Sequence, residues 1–296
     1  MPSSRVLRPH KTPVFRDTLI LLRLPFSLFL LPVYLLALNL SAQPDASTAL
    51  ALFVLLHGLV YPASNGYNSL VDRDTTPIGG LAAPPPPPAL LGRVVWLMDL
   101  LALGWAGWLG GQTLLGVALF IAASRAYSAP WPRLKRLPWI SFWLVALGQG
   151  SITFWTVWAS LNPQAPWSLL TTFGALAAGA LVGAAYPLSQ IYQHAEDAER
   201  GDLTLSRLLG VRGTLLFSAG AFGLGGALLL ALFGWRDSIL LLMCSLPGLL
   251  AFVHFAWQTW QEPERVGHAG VMRVQVFNTL GLNLGLLILA GRAWLA

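Results

Sequence analysis

Long apolar stretches, each close to the length needed to cross a lipid bilayer, recur along the whole 296-residue chain. A membrane-spanning helix needs roughly 20 apolar residues. Leu, Ala and Gly dominate these stretches, and the sequence lacks the long alternating pattern of a membrane β-barrel. We therefore predict an all-α fold, a polytopic membrane helical bundle of about nine transmembrane helices. Their approximate ranges are 18–40, 47–67, 90–109, 112–127, 138–159, 167–191, 213–234, 238–260 and 271–291.

The composition excludes a soluble globular protein and a disordered chain. Hydrophobic residues make up 55% of the sequence and charged residues only 10%, whereas a soluble domain carries about 25% charged residues. One cysteine allows neither an internal disulfide nor a cysteine-based metal cluster. The first apolar stretch follows a polar, basic start and is too long for a signal-peptide core. We predict a cytoplasmic N-terminal segment at 1–17 and a single transmembrane domain at 18–296.

The basic residues indicate the orientation of the bundle. A net charge of +6 could indicate nucleic-acid binding, but the Lys and Arg residues lie mainly at the ends of the apolar stretches. The positive-inside rule explains that placement, so we expect no nucleic-acid partner. With a cytoplasmic N-terminus, 15 of the 18 basic residues lie on or near the cytoplasmic side. We predict a multi-pass protein of the cytoplasmic membrane, surrounded by lipid, with the loops 68–89, 128–137 and 192–212 in the cytoplasm.

Six of the 12 carboxylates lie in two short windows, 72–74 and 196–202. Asn68 and Asp72 are spaced i, i+4, and so are Gln193 and Asp197, so each pair shares one helix face. Two oxygen-rich faces on one side of the bundle suit Mg²⁺, which takes a few carboxylates together with waters and phosphate oxygens. Neighbouring bases would then bind a diphosphate. Solvated helix caps explain the spacing equally well, and no short-period sequence repeat is evident.

Three loops resemble those of the UbiA superfamily of intramembrane prenyltransferases. The family carries Asn-Asp-x-x-Asp-x-x-x-Asp after its second span, and the chain is similar there, with Asn68-Ser-Leu-Val-Asp72. After the sixth span the family carries Asp-x-x-x-Asp-x-x-x-Gly-x-x-Thr-Leu, which resembles Gln193-x-x-x-Asp197-x-x-x-Gly201-x-x-Thr204-Leu205. The branch that includes chlorophyll synthase-like members has a Tyr-Ser-x-Pro-Pro-x-x-Leu-Lys loop, similar to Tyr127-Ser-Ala-Pro-Trp131-Pro-Arg133-Leu-Lys135-Arg136.

The resemblance implies a reaction and a set of site residues. The reaction is Mg²⁺-dependent transfer of an isoprenyl chain from a polyprenyl diphosphate to an aromatic or other lipid-precursor acceptor, at the cytoplasmic mouth of the bundle. The implied catalytic metal ligands are Asn68, Asp72, Gln193 and Asp197, with Asp74 as a further metal ligand. The implied substrate-binding residues are Arg23, Arg73, Tyr127, Lys135 and Arg136, with Arg133 as runner-up and His194 as a candidate proton acceptor.

The motifs of this chain depart from the family pattern at three positions. Ser69 and Thr76 stand where the family has acids, and Gln193 replaces the first Asp of the second motif. Asp74 is the candidate replacement for Thr76. With fewer acids, one metal ion, a weaker metal site, a changed substrate and an inactive homologue all stay open. So do two other functions: a UbiA-type membrane terpene cyclase, in which the cation closes on itself, and a non-enzymatic lipid or ion transporter.

Overall fold

The computed structural model describes residues 14–295, and helices account for most of them. Within these residues, eight helices are long and apolar enough to cross a membrane. A ninth has 18 residues, about 27 Å at 1.5 Å per residue, which approaches the thickness of the hydrocarbon core. The prediction of an all-α membrane bundle is confirmed. The helices are α1 (Val14–Asn39), α2 (Ala46–Asp72), α3 (Ala89–Leu109), α4 (Gly111–Ser128), α5 (Pro138–Leu161), α6 (Leu169–Glu199), α7 (Leu205–Leu232), α8 (Trp235–Gln261) and α9 (His268–Leu295).

The N-terminal segment predicted at 1–17 falls largely outside the described residues. Residues 1–13 are not described, and residues 14–17 form the start of α1. The single transmembrane domain at 18–296 stays a prediction. Large apolar side chains cover the outside of the bundle: Leu100 is 66% exposed, Trp108 79% and Met243 69%. Such a surface is stable against lipid and not against water, so the protein is a multi-pass integral membrane protein.

Helix α1 is interrupted at Arg23, which adopts a left-handed backbone conformation with φ 49°. A 3₁₀ segment, Leu24–Leu30, follows the break and carries Pro25 in its first turn. Proline has no N–H and disfavours a helical conformation in the residue before it, so the sequence itself places the break there. The consequence is that Arg23 leaves the helix path and points into the bundle, where it is 7% exposed.

Two of the membrane-spanning helices contain a short π-helical segment. The segments are Leu55–Val60 in α2 and Ala146–Ile152 in α5. Helix α5 approaches α6 closely at Gly150, where a Cβ atom would lie only 2.6 Å from the Cα atom of Gly179. Segments of this kind often occur at functional sites, and both π segments adjoin residues that line the internal cavity described below.

The loops that follow α2, α4, α6 and α8 meet at one end of the bundle. Gln193 Nε2 donates to the carbonyl of Pro77 at 3.2 Å, and His268 Nε2 lies 3.0 Å from the carbonyl of Ile78. Arg133, after α4, contacts Asp202, after α6. Consecutive spans that alternate in direction produce this arrangement, so the three loops predicted to share a side do so.

Candidate active site

A cavity of about 710 Å³ extends from this loop end into the interior of the bundle. Its volume is in the range of small-molecule pockets. Polar side chains line its mouth, whereas Leu36, Phe120 and Leu229 are among the apolar residues of its deeper part. The cavity therefore joins a polar entrance to an apolar interior. All five predicted metal ligands line it: Asn68, Asp72, Asp74, Gln193 and Asp197.

The last turns of α2 present one polar face to this cavity. Tyr61, Asn65, Asn68 and Asp72 follow the spacing i, i+4, i+7, i+11, and all four line the cavity. Asn68 Nδ2 donates to Asp72 Oδ2 at 2.7 Å and to Ser128 Oγ at 3.1 Å. These two hydrogen bonds hold the Asn68 amide through its nitrogen. No hydrogen bond within residues 14–295 uses the Asn68 side-chain oxygen.

The end of α6 presents a second face of the same kind. Asp197 is 8% exposed, and its Oδ2 atom accepts a hydrogen bond from Thr204 Oγ1 at 3.3 Å. Thr204 is the N-cap of α7, so it connects the two helices. Gly201 turns the chain between them with φ 72°, a conformation that glycine adopts without strain. The backbone N–H of Asp202 then donates to the carbonyl of Asp197 at 2.9 Å.

The two faces come from a repeated sequence that the sequence analysis missed. Residues 58–72 and 183–197 align without a gap, and amide residues also correspond at Asn65 with Gln190 and at Asn68 with Gln193. The signal lies upstream of the polar ends of the two windows, in the apolar part of each helix. Tyr186, Gln190 and Ser189 are cavity-lining residues that this comparison would have found. The identical pairs are Gly58 and Gly183, Tyr61 and Tyr186, Pro62 and Pro187, Ser64 and Ser189, Tyr67 and Tyr192, and Asp72 and Asp197.

A network of ion pairs connects Asp72 to the loops after α4 and α6. Lys135 Nζ lies 2.8 Å from Asp72 Oδ1 and 3.5 Å from Asp202 Oδ2. Arg133 donates to both oxygens of Asp202, at 3.0 and 2.8 Å, and lies 3.4 Å from Asp72. The hydrogen bond to Asp202 raises the pKa of Arg133 above its ordinary value. Each side chain of the network is largely buried, so removal of one charge would leave the others uncompensated.

A second group of ion pairs lies beside it. Arg200 Nη1 contacts Asp74 at 2.7 Å, and Arg200 also pairs with Glu196. Thr76 donates to Glu196. These contacts connect the loop after α2 to the end of α6. Of the two positions in the first motif where this chain lacks a family acid, Thr76 is exposed and Ser69 is 2% exposed, and neither lines the cavity.

Arg23 reaches the cavity from the break in α1. Its Nη1 donates to the carbonyl of Gly79 at 3.0 Å and its Nη2 to the carbonyl of Asn65 at 3.2 Å. The buried Nε has no partner among residues 14–295. The side chain therefore lies beneath the loop after α2, so this arginine does not reach out along α1 to the membrane surface. A guanidinium with a free N–H inside a polar cavity is suited to bind an anion.

The remaining predicted substrate-binding residues divide into two groups. Lys135 and Tyr127 line the cavity, and Tyr127 Oη lies 3.0 Å from Tyr186 Oη. Arg73 and Arg136 are exposed and are not among the lining residues. Arg73 follows the last residue of α2 in a left-handed conformation, φ 51°, which turns it away from the helix axis.

His194, the candidate proton acceptor, and Asp99, a buried acid of α3, both bond to other residues of the protein. His194 lies 2.7 Å from Ser206 Oγ, and it is not a lining residue. Asp99 pairs with Arg125 on the neighbouring helix α4. Arg125 also stacks on the ring of Tyr67, 4.1 Å from its centroid. The geometry therefore favours structural roles for His194 and Asp99.

Comparison with known proteins agrees with the fold. No curated protein sequence matches the chain. Among solved structures, a UbiA homolog from Archaeoglobus fulgidus bound to GPP and Mg²⁺ is 17% identical, with a TM-score of 0.66 over 93% of this chain and 99% of that one. A digeranylgeranylglyceryl phosphate synthase is 16% identical, with a TM-score of 0.60 over 96% and 99%. An apo UbiA homolog from Aeropyrum pernix K1 is 18% identical, with a TM-score of 0.62 over 96% and 98%.

At these identities the structural likeness establishes the fold alone. The sequence itself gives the finer result, because the pattern of the UbiA prenyltransferase family matches residues 28–276. That range contains α2 to α8 whole, both copies of the repeat and all three loops of the mouth. The chain therefore belongs to the UbiA prenyltransferase family.

Proposed function

We propose that this protein transfers an isoprenyl chain from a polyprenyl diphosphate to an aromatic or other lipid-precursor acceptor, with Mg²⁺ as cofactor. One observation carries the proposal: a single cavity joins two Asp-bearing faces at its mouth to an apolar interior. A prenyl diphosphate has a matching division into a charged head and an apolar tail. The support from relatives is that one solved neighbour binds GPP with Mg²⁺ and another is a digeranylgeranylglyceryl phosphate synthase.

The donor atoms at the mouth fit Mg²⁺. Among residues 14–295 there is no group of three or more His, Cys, Asp or Glu side chains placed for a metal, so a purely acidic cage is not available. Mg²⁺ does not require one, because it is commonly held by one or two carboxylates together with waters and substrate phosphates. Asp197 has no basic partner in the described ranges, and Asn68 and Gln193 both use their nitrogens in hydrogen bonds, which leaves their oxygens for an ion.

The candidate ligands are the two pairs Asn68–Asp72 and Gln193–Asp197, with Asp74 at the edge of the mouth. A bound Mg²⁺ would neutralise the charge that develops on the diphosphate as it leaves. Arg23, Lys135 and Arg200 line the cavity close to these oxygens and would bind the remaining phosphate oxygens. Arg73 and Arg136 are the weaker candidates for that role, because both side chains are exposed.

The transfer breaks one bond and forms another, and the residues that line the cavity assist both steps. The bond between the allylic carbon and the diphosphate oxygen breaks, and the electron pair leaves with the diphosphate. The acceptor forms the new bond to the allylic carbon and releases a proton. The apolar lining excludes water that would otherwise capture the cation, and the hydroxyls of Tyr127 and Tyr186 lie on the cavity wall where they can orient the acceptor.

We propose that the mouth faces the cytoplasm. The loops 68–89, 128–137 and 192–212 carry seven of the 18 basic residues, whereas the loops at the other end of the bundle, 40–45, 110, 162–168 and 233–234, carry none. The positive-inside rule places the basic loops in the cytoplasm. The charged diphosphate head of the donor would then bind at the cytoplasmic mouth, while its apolar tail lies among the helices. The acceptor would enter the same cavity.

Product analysis tests the proposal. The purified protein in nanodiscs is supplied with Mg²⁺ and geranyl, farnesyl or geranylgeranyl diphosphate, with and without a panel of aromatic and lipid-precursor acceptors. We expect diphosphate release that depends on an acceptor and yields a prenylated product. Diphosphate release with a cyclic hydrocarbon and no acceptor would establish a terpene cyclase instead. No release with any donor and acceptor would contradict both enzymes and favour the inactive homologue or the transporter.

A further inference from the structure

The two copies of the repeat at the mouth are alike in sequence but differ in their neighbouring charges. In the first copy, residues 58–72, both oxygens of Asp72 already hold donors: Lys135 and Arg133 contact Oδ1, and Asn68 contacts Oδ2. In the second copy, residues 183–197, Asp197 holds only the Thr204 hydroxyl and has no ionic partner in the described part of the chain. The two carboxylates at equivalent positions therefore have different capacities for a bound cation.

The amide side chains of the two copies, Asn68 and Gln193, also differ in their partners. Asn68 donates to the carboxylate of its own copy, Asp72. Gln193 instead donates to the carbonyl of Pro77 in the facing loop, at 3.2 Å, and makes no hydrogen bond to Asp197. A carboxylate without a hydrogen-bonded amide or an ion pair keeps its lone pairs for a metal ion. Asp197 is thus the better ligand, although the sequence gives Asp72 and Asp197 equal rank.

Lys135 lies where a cation of the first copy would lie. Its side chain is 9% exposed, and its Nζ lies 2.8 Å from Asp72 and 3.5 Å from Asp202. An ammonium group is a compact charge with three N–H donors. Two of them are accounted for by the two carboxylates, which leaves one for the cavity that Lys135 lines. Lys135 can therefore connect protein carboxylates to a phosphate oxygen, as a bridging metal ion does.

We propose that the Lys135 ammonium replaces a second divalent cation, so that the loaded site holds one divalent ion, on the Asp197 copy. The inference rests on the proposed function, because it concerns how that site neutralises a diphosphate. It explains how the chain manages with Ser69, Thr76 and Gln193 at positions where acids would otherwise add charge. A fixed ammonium beside Asp72 requires fewer acids than a second divalent ion.

The test counts bound metal ions and does not depend on turnover. The protein in nanodiscs is saturated with geranylgeranyl S-thiolodiphosphate, a donor analogue whose carbon–sulfur bond does not ionise. Mn²⁺ replaces Mg²⁺, and its unbound fraction is measured by electron paramagnetic resonance. We expect one Mn²⁺ per chain in the wild type and two in Lys135→Gln, because removal of the ammonium frees Asp72. The matched control is Arg93→Gln, which removes one charge from an exposed arginine outside the cavity.

Each outcome decides one of the two claims. Two Mn²⁺ per wild-type chain would overturn the inference and leave the proposed function intact. Lys135→Gln with a count of one would also overturn it, since Lys135 would then not occupy a cation position. No Mn²⁺ in a wild-type chain that binds the analogue would contradict the metal-dependent function itself. If Lys135→Gln cannot be purified in folded form, the wild-type count alone decides the inference.

Discussion

Replacement of Asp197 by asparagine is the sharpest single test of the site. The substitution keeps the shape of the side chain and an oxygen that can accept the Thr204 hydrogen bond. It removes one formal charge from the one carboxylate of the mouth that lacks an ionic partner within residues 14–295. No buried base loses its partner as a result, so we expect the fold to persist and the loss to fall on catalysis.

The size of that loss follows from Coulomb's law. Two unit charges 4 Å apart interact by about 4 kcal/mol at an effective dielectric constant of 20. Water that replaces the lost charge recovers part of this, so we take about 3 kcal/mol as the net loss in stabilisation of the leaving diphosphate. Because each 1.36 kcal/mol is a factor of ten, Asp197→Asn should slow diphosphate release by roughly 10²-fold.

The assay is Mg²⁺-dependent diphosphate release in nanodiscs, with Glu199→Gln as the matched control. Glu199 lies on the same turn of α6, is exposed and does not line the cavity. The control should keep wild-type turnover within about twofold, as expected for a surface substitution. Asp197→Asn at wild-type turnover, or an equal loss in both variants, would refute the assignment of Asp197 to the metal.

Three further outcomes follow from the structure. Gln193→Asp adds a charge beside Asp197, so it should lower the Mg²⁺ concentration that half-saturates diphosphate release; an unchanged or higher value would remove Gln193 from the ligand set. In a cysteine-free background, Gln164→Cys should react with an impermeant thiol reagent from outside intact cells and Thr75→Cys only after permeabilisation, and the reverse pattern would contradict the cytoplasmic mouth. Gly150→Leu would collide with α6 and should abolish a monodisperse yield in detergent, whereas Gly220→Ala, which has open space at its Cβ, should not.

The helices were predictable from the sequence, because a bilayer requires an apolar stretch of fixed length for each crossing. The residues at which the helices begin and end were less predictable. Helix α1 begins at Val14, before the predicted boundary at 18, and α6 continues to Glu199, beyond the predicted 191. At both ends the helix extends past the apolar stretch into polar residues, which hydropathy cannot delimit.

The polar faces at the mouth were predictable for the same geometric reason, since i, i+4 spacing places two side chains together on any helix. What the spacing could not show is where the bases point. Arg73 and Lys135 are both basic residues of loops, yet a left-handed turn exposes Arg73 and a 3₁₀ turn buries Lys135 against Asp72. That difference depends on contacts between residues more than 60 positions apart in the chain, which no local pattern encodes.

The repeat and the ion pairs together explain how a chain with few charges builds a charged mouth in a membrane protein. The repeat provides two helix ends with the same Tyr, amide and Asp positions, and both ends line one cavity. Equal copies would place two unpaired carboxylates on the wall of one cavity, and their repulsion would oppose closure of the bundle. Lys135 and Arg133 remove that repulsion at Asp72 alone. Asp197 makes no ion pair in the described part of the chain, so the attraction for a divalent ion and its diphosphate is concentrated on one copy, above the apolar part of the cavity.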